Sequence, residues 1–140
     1  MAISKSNSNE NLGFKYPKNE KLKSRKTIDS LFTDGKSVGK YPLRLVFIEN
    51  TTDTSEKIKF GVSVSKKHFK KAVDRNYFKR VLRECYRLNK QLLLDNIKKS
   101  YSIMFFYQTK ERLSYREINE KTILLFKKWV LFILDENINE

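Results

Sequence analysis

The pattern of apolar and polar residues along the chain predicts three short β-strands, one of them from strict alternation. The clearest stretch sets apolar side chains against small or charged ones: Ile58, Phe60, Val62 and Val64 alternate with Lys59, Gly61, Ser63 and Ser65. A two-residue period of this kind turns one side of a strand to a core and the other to solvent. Residues 43–48, which follow Pro42, and residues 101–107 form the other predicted strands, and residues 50–56 form a predicted hairpin loop between the first two.

Three further stretches have the period of amphipathic helices. The first begins near Ser24 and ends at Gly35, a residue that tolerates the left-handed conformation at a helix end. The second covers residues 71–93, and the third covers residues 115–134 after a capping box formed by Ser114 and Glu117. Ile28, Leu31 and Phe32 lie on one face of the first helix, and the positions of the second helix predicted to face the core are Val73, Phe78, Val81, Leu82 and Cys85.

The order of these elements predicts an α/β (α+β) two-layer sandwich, in which a small mixed β-sheet packs against helices. Its strand, helix, strand unit has a right-handed crossover by the general rule. We expect one domain over residues 21–135, because 140 residues with 39% hydrophobic content suffice for one core. Residues 1–20 are rich in Ser, Asn and Lys and are predicted to form a flexible basic tail, and residues 136–140 a C-terminal tail.

Positive charge is concentrated in one part of the chain. The formal net charge is +14, and residues 66–90 hold ten Lys or Arg and two acids, which leaves +8 in that stretch. Such a concentration repels itself unless a polyanion neutralises it, so nucleic acid is the expected partner. A membrane is not expected, because the most apolar run, residues 129–134, is far shorter than the roughly 20 residues that cross a bilayer.

The cellular compartment follows from two further features of the sequence. The first twenty residues are polar and contain no signal-peptide core. The single cysteine, Cys85, cannot form an internal disulfide or a cysteine-based zinc site. We therefore expect a cytoplasmic protein.

The long predicted helix carries the residues best suited to binding RNA. They are Arg75, Lys79, Arg83 and Arg87, which follow one another at intervals of four, and Asn76 and Arg80 beside them. This spacing places the cations in one row along the helix, where each guanidinium can bind a phosphate bidentately. The alternative is a solvated helix face without a ligand, but like charges at this spacing repel, which favours binding.

A second candidate surface precedes this helix. Gly61, Ser63 and Ser65 are small and leave one strand face open to a nucleic-acid strand, and Lys66 and Lys67 add charge at its end. Single strands are bound by basic grooves with aromatic side chains on which bases stack. Phe32, Tyr101 and Tyr107 are candidates for stacking, although such aromatic residues more often belong to the core.

The sequence shows no catalytic or metal-binding constellation. A protein nuclease needs convergent carboxylates for metals, or a histidine with an orienting partner, and the one histidine here, His68, lies in a lysine-rich loop. We expect no catalytic residue in the protein and no cofactor that the protein itself requires. From the residues alone, the chain is an RNA-binding protein without a catalytic site, and a structural protein of ribosomal type with no role in cleavage stays an open alternative.

Two adjacent motifs resemble the protein subunit of bacterial ribonuclease P. They are F-G-V-S-V-S-K-K at residues 60–67 and A-V-D-R-N-Y-F-K-R-V-L-R-E at residues 72–84, and weaker similarity extends over roughly residues 20–130. In that family a large RNA with bound magnesium removes the 5′ leader from precursor tRNA, while the small protein binds the catalytic RNA and holds the leader. The resemblance implies these two RNA partners, magnesium held mainly by RNA, and no obligate protein partner.

The resemblance also implies roles for single residues. The basic helix that faces the catalytic RNA in the family would be represented here by Arg75, Asn76, Lys79, Arg80 and Arg83, and the loop before that helix by Lys66 and Lys67. The leader would lie in a cleft between the sheet and the first helix, lined by Phe32 and residues 63–67. Tyr77 departs from an Arg-Asn-Arg trio, and Ile28 stands where an aromatic residue is frequent, so base stacking lacks its usual side chain there. The family's strand, helix, strand crossover is left-handed, and we follow the resemblance over the general rule.

Overall fold

The computed structural model describes residue 16, residues 20–50 and residues 57–139, with side chains as far as residue 136. This part of the chain forms three α-helices and four β-strands. In chain order they are α1 (Arg25–Asp34), β1 (Lys36–Lys40), β2 (Leu43–Glu49), β3 (Ile58–Val64), α2 (Ala72–Leu94), β4 (Tyr101–Tyr107) and α3 (Tyr115–Asn139). Six of the seven were predicted, and only α3 departs from its predicted bounds by more than one residue.

The four strands form one mixed sheet in the order β1, β2, β4, β3. β2 is antiparallel to both β1 and β4, whereas β3 and β4 run parallel and are connected through α2. The predicted mixed sheet with a strand, helix, strand unit is therefore confirmed. The predicted hairpin between β2 and β3 is wrong, because β4 lies between these two strands. Residues 51–56 of the predicted hairpin loop lie outside the described residues.

The strand that sequence analysis missed is β1. It pairs with β2 in a tight hairpin, in which Lys40 lies opposite Leu43 and Tyr41 and Pro42 form the turn. Val38 is its only buried residue, since a strand at the edge of a sheet needs few apolar side chains. One apolar residue cannot produce the pattern from which the other strands were predicted.

Helices cover both faces of the sheet. α2 and α3 pack on one face, where Phe60 of β3 stacks on Tyr86 of α2 with ring centroids 3.7 Å apart, and Trp129 of α3 meets Phe47 of β2 edge-on at 5.6 Å. α1 packs on the opposite face, where Leu31 is buried. The sheet thus has a face that two long helices cover and a face that one short helix covers only in part.

Two predictions about helix positions need correction. Val73 was predicted to face the core, but 70% of it is exposed. It lies five residues before the buried Phe78, which turns its side chain about 140° away from that side of the helix. Gly35 has φ −70° and not a left-handed conformation. Glycine suits this position because a Cβ would lie 2.2 Å from the Leu31 carbonyl oxygen and 2.9 Å from a Val46 methyl group.

The other helix ends follow ordinary capping chemistry. Ser24 caps α1, since its hydroxyl accepts a hydrogen bond from the Thr27 amide at 3.3 Å. The predicted capping box of α3 is confirmed: the Glu117 amide donates to the Ser114 hydroxyl at 3.1 Å, and the Ser114 amide donates to the Glu117 carboxylate at 3.3 Å.

Each edge strand of the sheet has a contact with another part of the chain. Lys21 forms a parallel bridge with Phe60 of β3, and the Leu22 amide donates to the Phe60 carbonyl at 3.0 Å. At the other edge, the Lys128 ammonium of α3 donates to the Gly39 carbonyl of β1 at 2.8 Å.

The chain next to the predicted domain limits also contacts the domain. Glu136 of α3 pairs with Lys36 of β1, although residue 136 was assigned to the C-terminal tail. Near the other limit, Tyr16 packs against the core and Glu20 is buried. Residues 1–15 and 17–19 of the predicted N-terminal tail lie outside the described residues.

Candidate nucleic-acid interface

The outer side of α2 presents the predicted row of cations. Each step of four residues turns about 40° around a helix, so the row winds by about 120° from Arg75 to Arg87. Arg83, and Arg80 and Asn76 beside the row, are exposed, and the other members of the row are partly buried. The helix buries the side that adjoins the start of this row, through Phe78, Val81, Leu82, Cys85 and Tyr86. The structure therefore brings the six predicted residues of this helix onto one continuous surface.

The two ends of this row have partners inside the protein. The Arg75 guanidinium donates to the carbonyls of Phe69 at 2.9 Å and Lys70 at 2.7 Å, which ties the preceding loop to α2. Arg87 pairs with Glu84, with Nε 3.1 Å from the carboxylate. This hydrogen bond lowers the pKa of Glu84 and raises the pKa of Arg87. The centre of the row, at Lys79 and Arg83, is therefore the part best placed to meet phosphates.

A tight turn carries the predicted lysines out from the end of β3. The Ser65 carbonyl accepts hydrogen bonds from the amides of His68 at 3.2 Å and Phe69 at 3.1 Å, and the Ser65 hydroxyl accepts one from the Lys67 amide at 3.0 Å. Ser65, Lys66 and Lys67 are exposed, whereas Phe69 is buried beside Phe78. The turn thus presents two ammonium groups between the sheet and α2.

The predicted cleft lies on the sheet face that α1 covers only in part. Arg44 of β2, Phe106 of β4 and Ser63 of β3 are directly opposite one another in the strand register and form one row across the sheet. Phe32 of α1 is 65% exposed, and its ring meets Phe106 at a centroid distance of 6.2 Å. The cleft therefore combines an aromatic wall, a polar floor and the basic turn at the end of β3.

Some residues proposed for this cleft lie elsewhere. Tyr101 and Tyr107 are only 4% and 1% exposed and face the core beneath α2 and α3. The aromatic residue that sequence analysis missed is Phe106, although the two-residue period of β4 turns it away from both tyrosines. Gly61 does not open the sheet face, because a Cβ there would lie 3.2 Å from the Met104 side chain and 3.4 Å from Leu22.

The two departures from the family pattern lie on different elements. Tyr77 is 41% exposed on α2, where its ring meets Phe78 edge-on at 4.9 Å. Ile28 is partly buried on α1, one turn before Phe32. An aromatic side chain is thus exposed beside the basic row of α2, and an aliphatic one stands next to the cleft.

The segment before α1 is fixed against the basic side of α2. The Lys90 ammonium contacts both carboxylate oxygens of Glu20, at 2.8 and 2.9 Å, and both side chains are almost fully buried. Tyr16 packs edge-on against Tyr86 at 5.2 Å. Burial raises the pKa of Tyr16 to about 12, although the positive charge of Arg83 opposes this shift. No periodic signal in the sequence connects residues so far apart.

The thiol of Cys85 is buried on the inner side of α2. Burial raises the pKa of Cys85 to about 11, which keeps this thiol neutral in the core. Within residues 16, 20–50 and 57–139, no three His, Cys, Asp or Glu side chains come together as metal ligands. None of the helices in the same part of the chain is long and apolar enough to cross a membrane.

Comparison with known proteins relates this geometry to one family. Residues 16–130 match the family model described as ribonuclease P. The ribonuclease P protein component of Porphyromonas gingivalis is 44% identical over 82 residues, which are 59% of this chain and 60% of that protein, so the match spans less than two thirds of this relative. The corresponding protein of Clostridium botulinum is 35% identical over 112 residues, 79% of this chain and 95% of that one.

Solved structures of ribonuclease P proteins have the same fold as this chain. The ribonuclease P protein of Thermotoga maritima superimposes with a TM-score of 0.61 at 30% identity, covering 77% of this chain and 96% of that chain. The Staphylococcus aureus protein superimposes with a TM-score of 0.63 over 77% of this chain and 93% of that chain, and at 22% identity it supports the fold alone. With the family model matching most of its length, this chain belongs to the ribonuclease P protein family.

Proposed function

We propose that this chain is the protein subunit of a cytoplasmic ribonuclease P, in which a catalytic RNA removes the 5′ leader from precursor tRNA. The observation that carries the proposal is the meeting of two surfaces at the turn of Ser65, Lys66 and Lys67: the basic side of α2 and the cleft beside Phe32. Two adjoining surfaces of different chemistry suit two RNA segments of different form.

The basic side of α2 is assigned to the catalytic RNA. Lys79, Arg80 and Arg83 project from one rigid helix, and successive cations of the row are about 6 Å apart along its axis, so they can meet consecutive phosphates. Arginine binds a phosphate through two parallel N–H donors, and Asn76 adds a neutral donor and acceptor. The contacts of Arg75 with the preceding loop hold that loop in register with the helix.

The cleft is assigned to the single-stranded leader. Unpaired bases stack on aromatic side chains, and Phe32 and Phe106 offer two rings that meet at an interplanar angle of 65°. Arg44, which donates to the Ser37 hydroxyl at 2.9 Å, adds positive charge to the floor of the cleft, and Lys66 and Lys67 do so at its end. This arrangement recognises a backbone and flat bases without requiring one sequence.

In this proposal the protein assists and does not cleave. Magnesium supplies the hydrolytic chemistry when it is bound by the RNA, and no residue of this chain is assigned to hold it. The protein's cations screen the repulsion between the catalytic RNA and its substrate, and the cleft holds the leader in place. The protein should therefore stimulate cleavage most at low magnesium concentration, where the RNA charges are poorly screened.

The test is cleavage of a 5′-labelled precursor tRNA by a bacterial ribonuclease P RNA at limiting magnesium, with this protein, without it, and with the protein alone. We expect stimulation only when RNA and protein are both present. Tight RNA binding without stimulation would contradict the proposal and favour a structural RNA-binding role. Cleavage by the protein alone would contradict the assignment of catalysis to the RNA.

The leader assignment is tested by Phe32→Ala. Loss of one stacking surface should weaken binding of precursor tRNA to the holoenzyme by about tenfold, because each base–aromatic stack contributes roughly 1–3 kcal/mol. Binding of mature tRNA, which has no leader, should not change. Leu124→Ala is the matched control, since Leu124 is also exposed but lies on α3. Equal losses for both tRNA forms would contradict the assignment.

A further inference from the structure

α3 is apolar on two opposite sides. One side is buried in the core through Ile118, Phe126, Trp129 and Ile133. The opposite side carries an outer stripe, which we define as Leu124, Leu131 and Leu134, and these residues are 51%, 68% and 40% exposed. Residues three, seven and ten apart remain on one side of a helix, so the three leucines share that side with Lys127, which lies between Leu124 and Leu131. Exposed apolar side chains grouped on one side of a helix mark a candidate interaction surface.

A groove lies next to this stripe, between the end of α2 and the middle of α3. Leu92, Asn96, Lys127, Val130 and Leu131 line it, and its volume is about 280 Å³. Leu131 is therefore both the most exposed leucine of the stripe and one wall of the groove. A surface that carries a protruding apolar side chain beside an apolar recess can bind a second copy of itself, because a two-fold axis pairs each feature with the other.

The charges of α3 permit such an association, although the chain as a whole is strongly basic. Between residues 115 and 136 the helix has four Lys or Arg and four Asp or Glu, so it is neutral. α2, over Ala72–Leu94, has six cations and two acids. α3 itself therefore adds no net charge to the self-repulsion that accompanies a charge of +14.

The order of charges along α3 selects one orientation. Lys127 lies one turn before Leu131 and Asp135 one turn after it, each about 6 Å away along the axis. Two copies crossing antiparallel at Leu131 bring Lys127 of each helix level with Asp135 of the other. A parallel pair would instead place like charges side by side, which is destabilising.

This surface is separate from the candidate RNA surfaces and from most of the family match. The matched residues end at 130, so Leu131 and Leu134 lie beyond them. The stripe is on α3, whereas the basic row is on α2 and the cleft is on the far face of the sheet. An occupant of the stripe need not displace RNA.

We propose that two copies of this chain associate through the outer stripe of α3, as an antiparallel two-fold dimer in which Leu131 of each copy enters the groove beside Leu92 and Val130 of the other. The apolar contacts supply the attraction, and the Lys127 and Asp135 pairs set the direction. The dimer is reversible and depends on protein concentration.

The test is sedimentation velocity of the full chain without RNA, up to about 100 µM protein, where a reversible dimer with a micromolar dissociation constant is populated. We expect a concentration-dependent dimer, and Leu131→Glu should raise its dissociation constant by at least about tenfold. Val73→Glu is the matched control, because Val73 is exposed to a similar extent on α2. Unchanged circular dichroism and thermal midpoint would show that Leu131→Glu still folds. A chain that stays monomeric at the highest concentration would overturn the proposal.

Charge reversal tests the orientation separately. Lys127→Asp and Asp135→Lys should each weaken the dimer by about tenfold, and the double variant should restore it, because opposite charges again lie level with each other. A double variant as weak as the single variants would overturn the antiparallel arrangement. Since these measurements contain no RNA, their outcome is independent of the proposed role in ribonuclease P.

Discussion

α2 and α3 are similar in length and in position on the sheet, but their outer sides carry different residues. They have 23 and 25 residues and pack on the same face of the sheet. The side-chain amide of Asn89 on α2 donates a hydrogen bond to the side-chain carbonyl of Asn119 on α3 at 2.8 Å. The outer side of α2 is a row of cations, and the outer side of α3 is a stripe of leucines among balanced charges. Two helices with equivalent places in one fold can thus present surfaces suited to quite different partners.

The difference also appears in how each helix uses its lysines. Lys90 of α2 is buried and paired with Glu20, whereas Lys127 of α3 is exposed on the wall of an apolar groove. A buried ion pair is costly to break, because the remaining charge is left in a poorly solvated site. An exposed lysine contributes little to folding.

The largest expected effect comes from comparing these two lysines. Lys90→Met should lower the free energy of unfolding by roughly 3 kcal/mol, because it leaves the Glu20 carboxylate buried without its partner. Lys127→Met should change it by less than about 0.5 kcal/mol. Urea unfolding at low protein concentration measures both. Replacing both partners, with Glu20→Gln added to Lys90→Met, should recover part of the loss, and similar losses for the two single variants would contradict the comparison.

The next effect separates the two helices as RNA surfaces. Lys79→Ala combined with Arg83→Ala should weaken binding to the catalytic RNA and flatten the dependence of log affinity on log salt by about 0.7–0.9 for each lost phosphate contact. The matched control, Lys121→Ala with Lys127→Ala, removes the same charge from α3. Titration of labelled RNA at several salt concentrations measures both. If the control pair changed the slope as much, the net charge would matter and the position of the row would not.

The smallest expected effect is a pH dependence of the free energy of unfolding, caused by Tyr16, which packs against α2. Because burial raises the pKa of Tyr16 in the folded protein to about 12, its contribution to stability is present below pH 10 and is lost as the pH rises from 10 towards 12. Tyr16→Phe should lose less stability than the unaltered protein across this window, as measured by urea unfolding at each pH. Tyr115→Phe on α3 is the control and should have a smaller effect, since Tyr115 is more exposed. Identical pH profiles for all three proteins would contradict a raised pKa of Tyr16 in the folded protein.

Most of the fold was predictable because its elements have local signals. The two-residue period located β3, an apolar run located β4, and the capping box located the start of α3 at Ser114. The pairing of strands was not predictable in the same way, because β2 and β3 follow each other along the chain but lie on either side of β4. Which strands become neighbours depends on how the helices cover the sheet, and no short window of sequence records that.

The candidate site also has a part that the sequence predicts and a part that depends on tertiary contacts. The basic row followed from spacing alone, since one helix positions all of its members. The cleft depends on α1 lying over β4, so sequence analysis selected Tyr101 and Tyr107 from the correct strand and missed Phe106 between them. The contact of Glu20 with Lys90 joins residues seventy positions apart and has no periodic signal.

The edge contacts of the sheet bear on whether this chain can pair with other chains. An open edge strand is a template on which other chains can add strands. Here Lys21 pairs with β3 at Phe60 and the Lys128 ammonium occupies the Gly39 carbonyl of β1, so the two contacts come from opposite ends of the domain sequence. During synthesis the second contact cannot form until α3 has been made. Lys128→Ala would free the β1 carbonyl while leaving the buried Trp129 in place, and this variant should aggregate more readily than the unaltered chain.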